Sequence, residues 1–302
     1  AGTWAVAGLL GFELPFIWAL GFGALISPTD PVAVLGLLKS INVPDSIKSK
    51  IAGEALFNDG VAVVAFSVLL AVAVGTGADH HLDMWHIAEL FFYEGGGGVV
   101  FGLFTGWLAY RAMLAIDDHI VEILISLAAC VVTYTVSQRL HISGPIAVVV
   151  TGLFIGNHGA AYAMSEKVEE YLFAFWEVVD EMLNSVLFLL MGLEVLVLSF
   201  APSHGLIMLA AIPIVLVARL MSVCVPITLL SIRQTFSTGS IPVLTWGGLR
   251  GGVSVALALS LPDSEAKPII LAITYAVVIF SIVVQGLTVK WVIGRTVVAE
   301  PT

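Results

Sequence analysis

The chain has 302 residues, of which 59% are apolar and only 11% carry charge. Soluble domains are about half apolar and a quarter charged, so this composition and a mean hydropathy of +1.04 exclude a water-soluble globule. A net charge of −10 argues against nucleic-acid partners, because these need a basic surface. A chain of this length has room for about ten membrane-spanning helices.

Polar breaks divide the chain into ten apolar segments, which we predict to be helices. In chain order they cover residues 1–11, 14–40, 46–76, 86–114, 118–138, 143–157, 165–200, 204–231, 239–261 and 267–294. The first segment is too short to cross a bilayer of about 30 Å at 1.5 Å per residue. We interpret it as the tail of a helix and expect the chain to be an N-terminally truncated part of a longer protein.

The cationic residues predict the orientation of these helices. Eight of them fall in loops on one side of the membrane: Lys39, Lys48, Lys50, Arg111, Lys167, Arg233, Lys290 and Arg295. Loops on the other side hold only Arg139 and Lys267, so the first side and the C-terminus are predicted to be cytoplasmic. Residues 75–86 then face outward. Their Asp and His side chains favour a solvated loop over a metal site.

The fourth segment contains Gly98, Gly102 and Gly106, four residues apart on one helix face. Small residues at this spacing let two helix backbones approach closely in lipid. We therefore predict helix packing at these glycines rather than a binding loop.

The second segment contains two prolines, Pro28 and Pro31, on either side of Thr29 and Asp30. Two prolines three residues apart remove backbone donors and prevent a continuous helix. One interpretation is a simple kink capped by Asp30. The favoured one is a broken helix at membrane depth, whose free carbonyls and half-helix ends form an ion site.

Ionisable residues also occur inside two other segments, where charge is costly and therefore points to function. The third segment holds Glu54, Asn58 and Asp59 within one and a half turns. The ninth holds Arg250 among four glycines, which weaken the helix in its middle. A buried Arg250 needs an anionic partner, and we predict Glu54. The alternative is that Arg250 extends to the membrane surface.

The seventh segment carries Glu177, Asp180, Glu181 and Asn184 on overlapping faces. These residues are compatible with a water-filled funnel and equally with polar contacts between helices.

The two interrupted segments, the second and the ninth, are seven crossings apart and therefore run antiparallel. Corresponding broken helices in two oppositely oriented halves are typical of inverted-repeat secondary transporters, which bind substrate where these helices cross. We predict an all-α polytopic membrane protein of this kind, with two crossing discontinuous helices.

Five stretches of the chain resemble the NhaP-type monovalent cation/proton antiporters, relatives of the sodium/proton exchangers of animals and plants. They are GALISPTDPVAVLGLLK (23–39), GEALFNDGVAVV (53–64), FWEVVDEMLNSVLFLLMGLE (175–194), GGLRGGVSVALALSLP (247–262) and FSIVVQGLTV (280–289). They span nearly the whole chain in the order found in that family.

The resemblance implies a transporter and not an enzyme. It implies no cofactor, and Na⁺ or Li⁺ and H⁺ are the transported ions. It implies a homodimer in the cell membrane. Residues 1–76 and 201–302 would form the two core repeats, and residues 77–200 the helices of the dimer interface. The usual Ser after the Glu is Ala55 here, which leaves the choice of ion open.

The resemblance also implies roles for the site residues. Asp59 would bind cation and proton in turn, with Thr29 offering an oxygen to Na⁺. Thr29 and Asp30 would lie in the unwound crossing, and Asn58 would be the first member of the Asn-Asp pair typical of electroneutral members. Glu54 and Arg250 would form a buried ion pair.

The expected function is electroneutral one-for-one exchange of Na⁺ or Li⁺ for H⁺. Potassium/proton exchange or a channel-like pathway is an alternative. An intramembrane aspartyl protease using Asp30 and Asp59 is a more distant one, because the Gly-x-Gly-Asp signature precedes neither residue. A further alternative is a non-transporting fragment.

Overall fold

The computed structural model describes residues 1–30, 45–75, 84–197, 204–232 and 239–296. Regular structure within these ranges is helical, without strands. The helices are α1 (Gly2–Leu9), α2 (Phe16–Leu25), α3 (Asp45–Gly75), α4 (Met84–Met113), α5 (His119–Arg139), α6 (Gly144–Phe154), α7 (Ala160–Tyr162), α8 (Glu166–Val197), α9 (Gly205–Leu230), α10 (Ser240–Trp246), α11 (Gly252–Leu259), α12 (Ala266–Phe280) and α13 (Gly286–Thr296). The π-helical turns Ile155–Gly159 and Ser281–Gln285 join α6 to α7 and α12 to α13. The all-helical prediction is confirmed.

Six helical stretches in the described ranges have the length and composition to cross a membrane. They are Lys50–Gly75, Ile87–Met113, His119–Arg139, Gly144–Tyr162, Gly205–Leu230 and Ala266–Thr296. These stretches match the third, fourth, fifth, sixth, eighth and tenth predicted segments. The seventh segment is the 32-residue helix α8, which begins with acidic residues. The prediction of a polytopic membrane protein is therefore confirmed.

The chain divides into two compact units. The first contains Ala1–Ala62 and Glu194–Thr302, and the second contains Val63–Leu193. The roles predicted for residues 1–76, 77–200 and 201–302 as core repeats and interface helices stay predictions.

The first unit has α12 in its interior, and most residues of this helix are buried. A neighbouring apolar cluster joins four other helices, α3, α9, α10 and α13. Its buried members are Ile51, Val223, Val243, Leu244, Leu249, Val289 and Ile293. Because this cluster includes residues of α10 and of the segment after it, it fixes the position of the interrupted ninth segment.

The second unit confirms the predicted glycine packing. A Cβ atom added to Gly98 would lie 2.8 Å from the carbonyl oxygen of Ser143, and one added to Gly106 would lie 2.8 Å from the Phe154 Cβ. The backbone of α4 therefore lies directly against α6. The Thr151 hydroxyl adds a bond across this seam, because it donates to the Gly102 carbonyl at 3.1 Å.

Candidate ion-binding site

The second predicted segment is interrupted at its prolines. Helix α2 ends at Leu25, and residues 27–30 continue as non-helical backbone with Thr29 buried. Pro28 has no N–H to donate, and Pro31 disfavours helical backbone at Asp30. Backbone groups exposed by such a break need partners at membrane depth. The continuation of this segment after Asp30 lies outside the described residues, so its second half-helix stays a prediction.

Helix α3 supplies partners for this break from two consecutive residues. The Asn58 Nδ2 donates to the Ser27 carbonyl at 2.6 Å, and its Oδ1 accepts the Ser27 hydroxyl at 3.1 Å. The Asp59 Oδ1 accepts the Thr29 N–H at 3.1 Å. The structure therefore brings Asn58, Asp59 and Thr29 together, and their roles in binding a cation stay predictions.

The ninth segment is also interrupted, since α10 ends at Trp246 and α11 begins at Gly252. Its non-helical backbone contacts that of the first break, because the Asp30 N–H donates to the Leu249 carbonyl at 2.8 Å. A Cβ atom added to Gly251 would lie 2.7 Å from the Asp30 Oδ2, so only glycine permits this approach. The two breaks thus meet at Asp30.

Arg250 completes the connection between the two breaks. Its Nη1 donates to the Ser27 carbonyl and, at 3.0 Å, to the Pro28 carbonyl. Only 7% of the residue is exposed, so it does not extend to the membrane surface. The guanidinium satisfies carbonyls that the proline-broken backbone leaves without helical partners.

The predicted ion pair between Glu54 and Arg250 is wrong. Glu54 instead pairs with Arg219 of α9, whose Nη1 and Nη2 donate to the two carboxylate oxygens, the second at 2.9 Å. Arg219 also donates to the Leu244 carbonyl in α10 at 2.7 and 3.2 Å. The prediction failed because the free carbonyls of the first break, and not a carboxylate, bind Arg250. A usable signal existed, since Arg219 is another cationic residue inside a predicted span.

Sequence reasoning assigned no contact to Ser27, Ser281 or Gln285, although all three lie in the stretches that carry the family resemblance. Ser27 is part of the first break, and the other two bond to the second. In α8, Asp180 and Glu181 are exposed, and the Asn184 Nδ2 donates to the Asp180 Oδ1 at 3.1 Å within the helix. These contacts do not test the prediction that the acidic residues of α8 line a water-filled funnel.

Within the described ranges, no group of three or more His, Cys, Asp or Glu could hold a metal ion. Residues 76–83, part of the segment 75–86 that is predicted to face outward, lie outside those ranges.

The arrangement is suited to binding a small cation. Carboxylate oxygens, backbone carbonyls and a threonine hydroxyl are hard oxygen ligands, and unwound helix segments at membrane depth present them to ions in secondary transporters. Asp59 and Asp30 lie at such a meeting of interrupted backbone. Fold and site together define the class of protein as a helical membrane transporter.

Comparison with known proteins identifies the family. Residues 1–295 match the model of the transmembrane sodium/hydrogen exchangers. The chain is 46% identical to the Na⁺/H⁺ antiporter NhaP of Pseudomonas aeruginosa over 97% of its own length and 69% of the relative. It is 37% identical to the Na⁺/H⁺ antiporter NhaH of Halobacillus aidingensis, over 97% and 72%. The chain belongs to the sodium/hydrogen exchanger family, and it is a transporter rather than an enzyme.

A solved structure supports the fold independently. The sodium proton antiporter MjNhaP1 of Methanocaldococcus jannaschii superposes with a TM-score of 0.74, covering 95% of this chain and 76% of that one. Sequence identity is only 19%, so the likeness shows the shared antiporter fold and carries no statement about individual residues.

Proposed function

We propose that this chain exchanges Na⁺ or Li⁺ for H⁺ across the cell membrane, one for one, with Asp59 as the group that binds each in turn. Family membership supports Na⁺/H⁺ exchange. The observation that supports Asp59 is its bond from the Thr29 N–H, which places the carboxylate against the interrupted backbone where the two breaks meet.

Competition for a single carboxylate couples the two fluxes. The Thr29 N–H occupies one Asp59 oxygen, and among the described residues no hydrogen bond occupies the other. We propose that a proton or a cation binds the other oxygen. If the neutral or cation-loaded form crosses and the bare anion does not, each cation moving one way requires a proton moving the other.

The electroneutral stoichiometry rests on Asn58. This residue cannot take up or release a proton near neutral pH, and its amide is engaged with the Ser27 carbonyl and hydroxyl. One titrating carboxylate exchanges one proton for one monovalent cation, so no net charge moves. Glu54 is bound by Arg219 and has a different role, the fixing of α3 to α9.

The remaining features of the proposal follow from the resemblance. The transporter would be a homodimer with residues 77–200 at the interface and residues 1–76 and 201–302 in the core. A cytoplasmic C-terminus rests instead on the distribution of Lys and Arg over the loops. Thr29 and Asp30 would add oxygen ligands to Na⁺. Replacement of Na⁺ by K⁺ distinguishes this function from potassium/proton exchange.

The test uses the full-length protein in proteoliposomes that contain a pH-sensitive dye. Addition of Na⁺ should drive proton movement in the wild type, and the Asp59→Ala variant should abolish it. Asp263→Ala is the matched control, because Asp263 is an exposed acid that forms a salt bridge with Lys267 four residues away. Normal exchange by Asp59→Ala would refute the role of Asp59. A rate that depends strongly on membrane voltage would refute one-for-one exchange.

A further inference from the structure

The π-helical turn between α12 and α13 lies beside the second break. It covers Ser281–Gln285, and both end residues are polar and buried, with Ser281 0% and Gln285 4% exposed. Buried polar side chains at membrane depth are costly unless they bond to something, and π-helical turns are frequent at functional sites.

These two residues bond to opposite sides of the second break. The Ser281 Oγ accepts the Arg250 N–H at 2.8 Å, and the Gln285 Nε2 donates to the Trp246 carbonyl at 3.4 Å. Trp246 is the last residue of α10, so Gln285 reaches the carbonyl end of the first half-helix. A third contact supports this one, because the Trp246 indole N–H donates to the Thr288 hydroxyl at 2.8 Å.

The same pattern occurs at the first break. There a side-chain oxygen, the Asp59 Oδ1, accepts a backbone N–H within the break, and a side-chain amide, that of Asn58, donates to a carbonyl after the half-helix. In each of the two predicted repeats, therefore, the span that follows the interrupted one supplies one acceptor and one amide donor. Ser281 corresponds to Asp59 as the acceptor, and Gln285 corresponds to Asn58 as the amide donor.

A short chain of contacts links Ser281 to the cation site. Ser281 holds the backbone of Arg250, and the Arg250 guanidinium holds the carbonyls of Ser27 and Pro28. Those carbonyls immediately precede Thr29, whose N–H bonds to Asp59. A shift of Arg250 would therefore disturb the backbone next to Thr29, whose N–H bonds to the Asp59 carboxylate.

We propose that Ser281 and Gln285 are positioning residues for the cation site, which hold the second break in the geometry that Asp59 requires. This inference rests on the proposed function. Both side chains bond to backbone of the second break, through the Ser281 Oγ and the Gln285 Nε2, and we assign neither a direct contact with the ion.

The test measures the Na⁺ dependence of exchange in proteoliposomes of the full-length protein for Ser281→Ala and Gln285→Met. Each variant removes one polar contact with little change in volume. Loss of a buried hydrogen bond that positions the site should raise the KM for Na⁺ by about 2- to 10-fold. The kcat at saturating Na⁺ should change much less, because Asp59 is intact.

Thr274→Val is the matched control, because Thr274 is equally buried in α12 but its hydroxyl donates to the Ile270 carbonyl of its own helix. Its KM should equal that of the wild type. KM values for Na⁺ that are equal in Ser281→Ala, Gln285→Met and the control would overturn the proposal. The proposal would also be overturned if all three variants, including the control, showed the same decrease in kcat and the same increase in KM. If Ser281→Ala does not fold, Gln285→Met alone decides.

The outcome separates this inference from the proposed function. Failure of the proposed function appears as Na⁺-driven exchange that survives Asp59→Ala. Failure of the positioning role appears as exchange that needs Asp59 but is indifferent to Ser281 and Gln285.

Discussion

The two compact units use polar residues in opposite ways. In the first unit, Asn58, Asp59 and Arg250 bond to backbone of interrupted segments far away in sequence. In the second unit the long helices α4 and α5 are continuous, their backbone is satisfied internally, and glycines bring α4 against α6. The charged and amide side chains that bind interrupted backbone therefore lie in the first unit, whereas close packing at glycines brings α4 against α6 in the second.

This difference predicts that the first unit is most sensitive to loss of a charge partner. Arg219→Met keeps much of the side-chain volume but leaves Glu54 without its cation and the Leu244 carbonyl without its donor. Breaking a buried ion pair in this way costs about 3–5 kcal/mol, and we expect about 3 kcal/mol because the Glu54 side chain is 31% exposed. Equilibrium unfolding in SDS-containing mixed micelles measures the change in free energy.

The double variant Glu54→Gln, Arg219→Met is the control for this prediction. Removing both charges eliminates the uncompensated carboxylate, so stability should recover by more than half. If Arg219→Met is as stable as the wild type, the ion pair contributes little to stability. Charge pairing would then not explain the contrast between the two units.

In the second unit the largest effect should come from a methyl group. At Gly102 an added Cβ would lie 2.8 Å from the Val150 Cβ and 3.0 Å from the Ala147 Cα. Because α4 and α6 would have to separate, Gly102→Ala should lower the free energy of unfolding by about 2 kcal/mol. Gly96→Ala is the control on the same helix, since no atom lies within 4 Å of its added Cβ. Equal stability of the two variants would contradict close packing at Gly102.

The sequence predicted the features that depend on local chemistry. Span limits follow from composition, and the predicted 118–138 differs by one residue at each end from His119–Arg139. The interruption at Pro28 follows from the missing N–H of proline. The glycine seam at Gly102 follows from a spacing that any helix imposes.

The features that sequence reasoning missed depend on which helices are neighbours and how each is rotated. Arg219 and Arg250 are both buried cations, and only the packing of α9 against α10 decides which one meets Glu54. Likewise, the π-helical turn that turns Ser281 towards the Arg250 N–H has no local proline or charge that predicts it.

The smallest effect on stability is predicted for Asp118, which, like Asp59, accepts hydrogen bonds from backbone N–H groups. Asp59 accepts a backbone N–H from a residue 30 positions away, whereas Asp118 accepts those of Ile120 and Val121 at the start of its own helix, α5. These Val121 and Ile120 N–H bonds lower the pKa of the exposed Asp118 carboxyl below its ordinary value. A lowered folded-state pKa means that the charged form stabilises the fold. This stabilisation is complete above the unfolded-state pKa of about 3.9 and is lost as pH falls through the folded value.

Asp118→Ala should therefore lower the unfolding midpoint slightly at pH 7, and its difference from the wild type should shrink near pH 3. Asp118→Asn keeps a capping oxygen without the charge. Its unfolding midpoint at pH 7 should therefore lie between those of Asp118→Ala and the wild type, and its capping contribution should vary little with pH. Na⁺/H⁺ exchange should be unchanged in both variants, because the Asp118 bonds are local and hold only the end of α5. Loss of exchange in Asp118→Asn would show that a helix cap in the second unit affects transport. The contrast between interrupted helices in the first unit and continuous helices in the second would then not predict which residues matter for function.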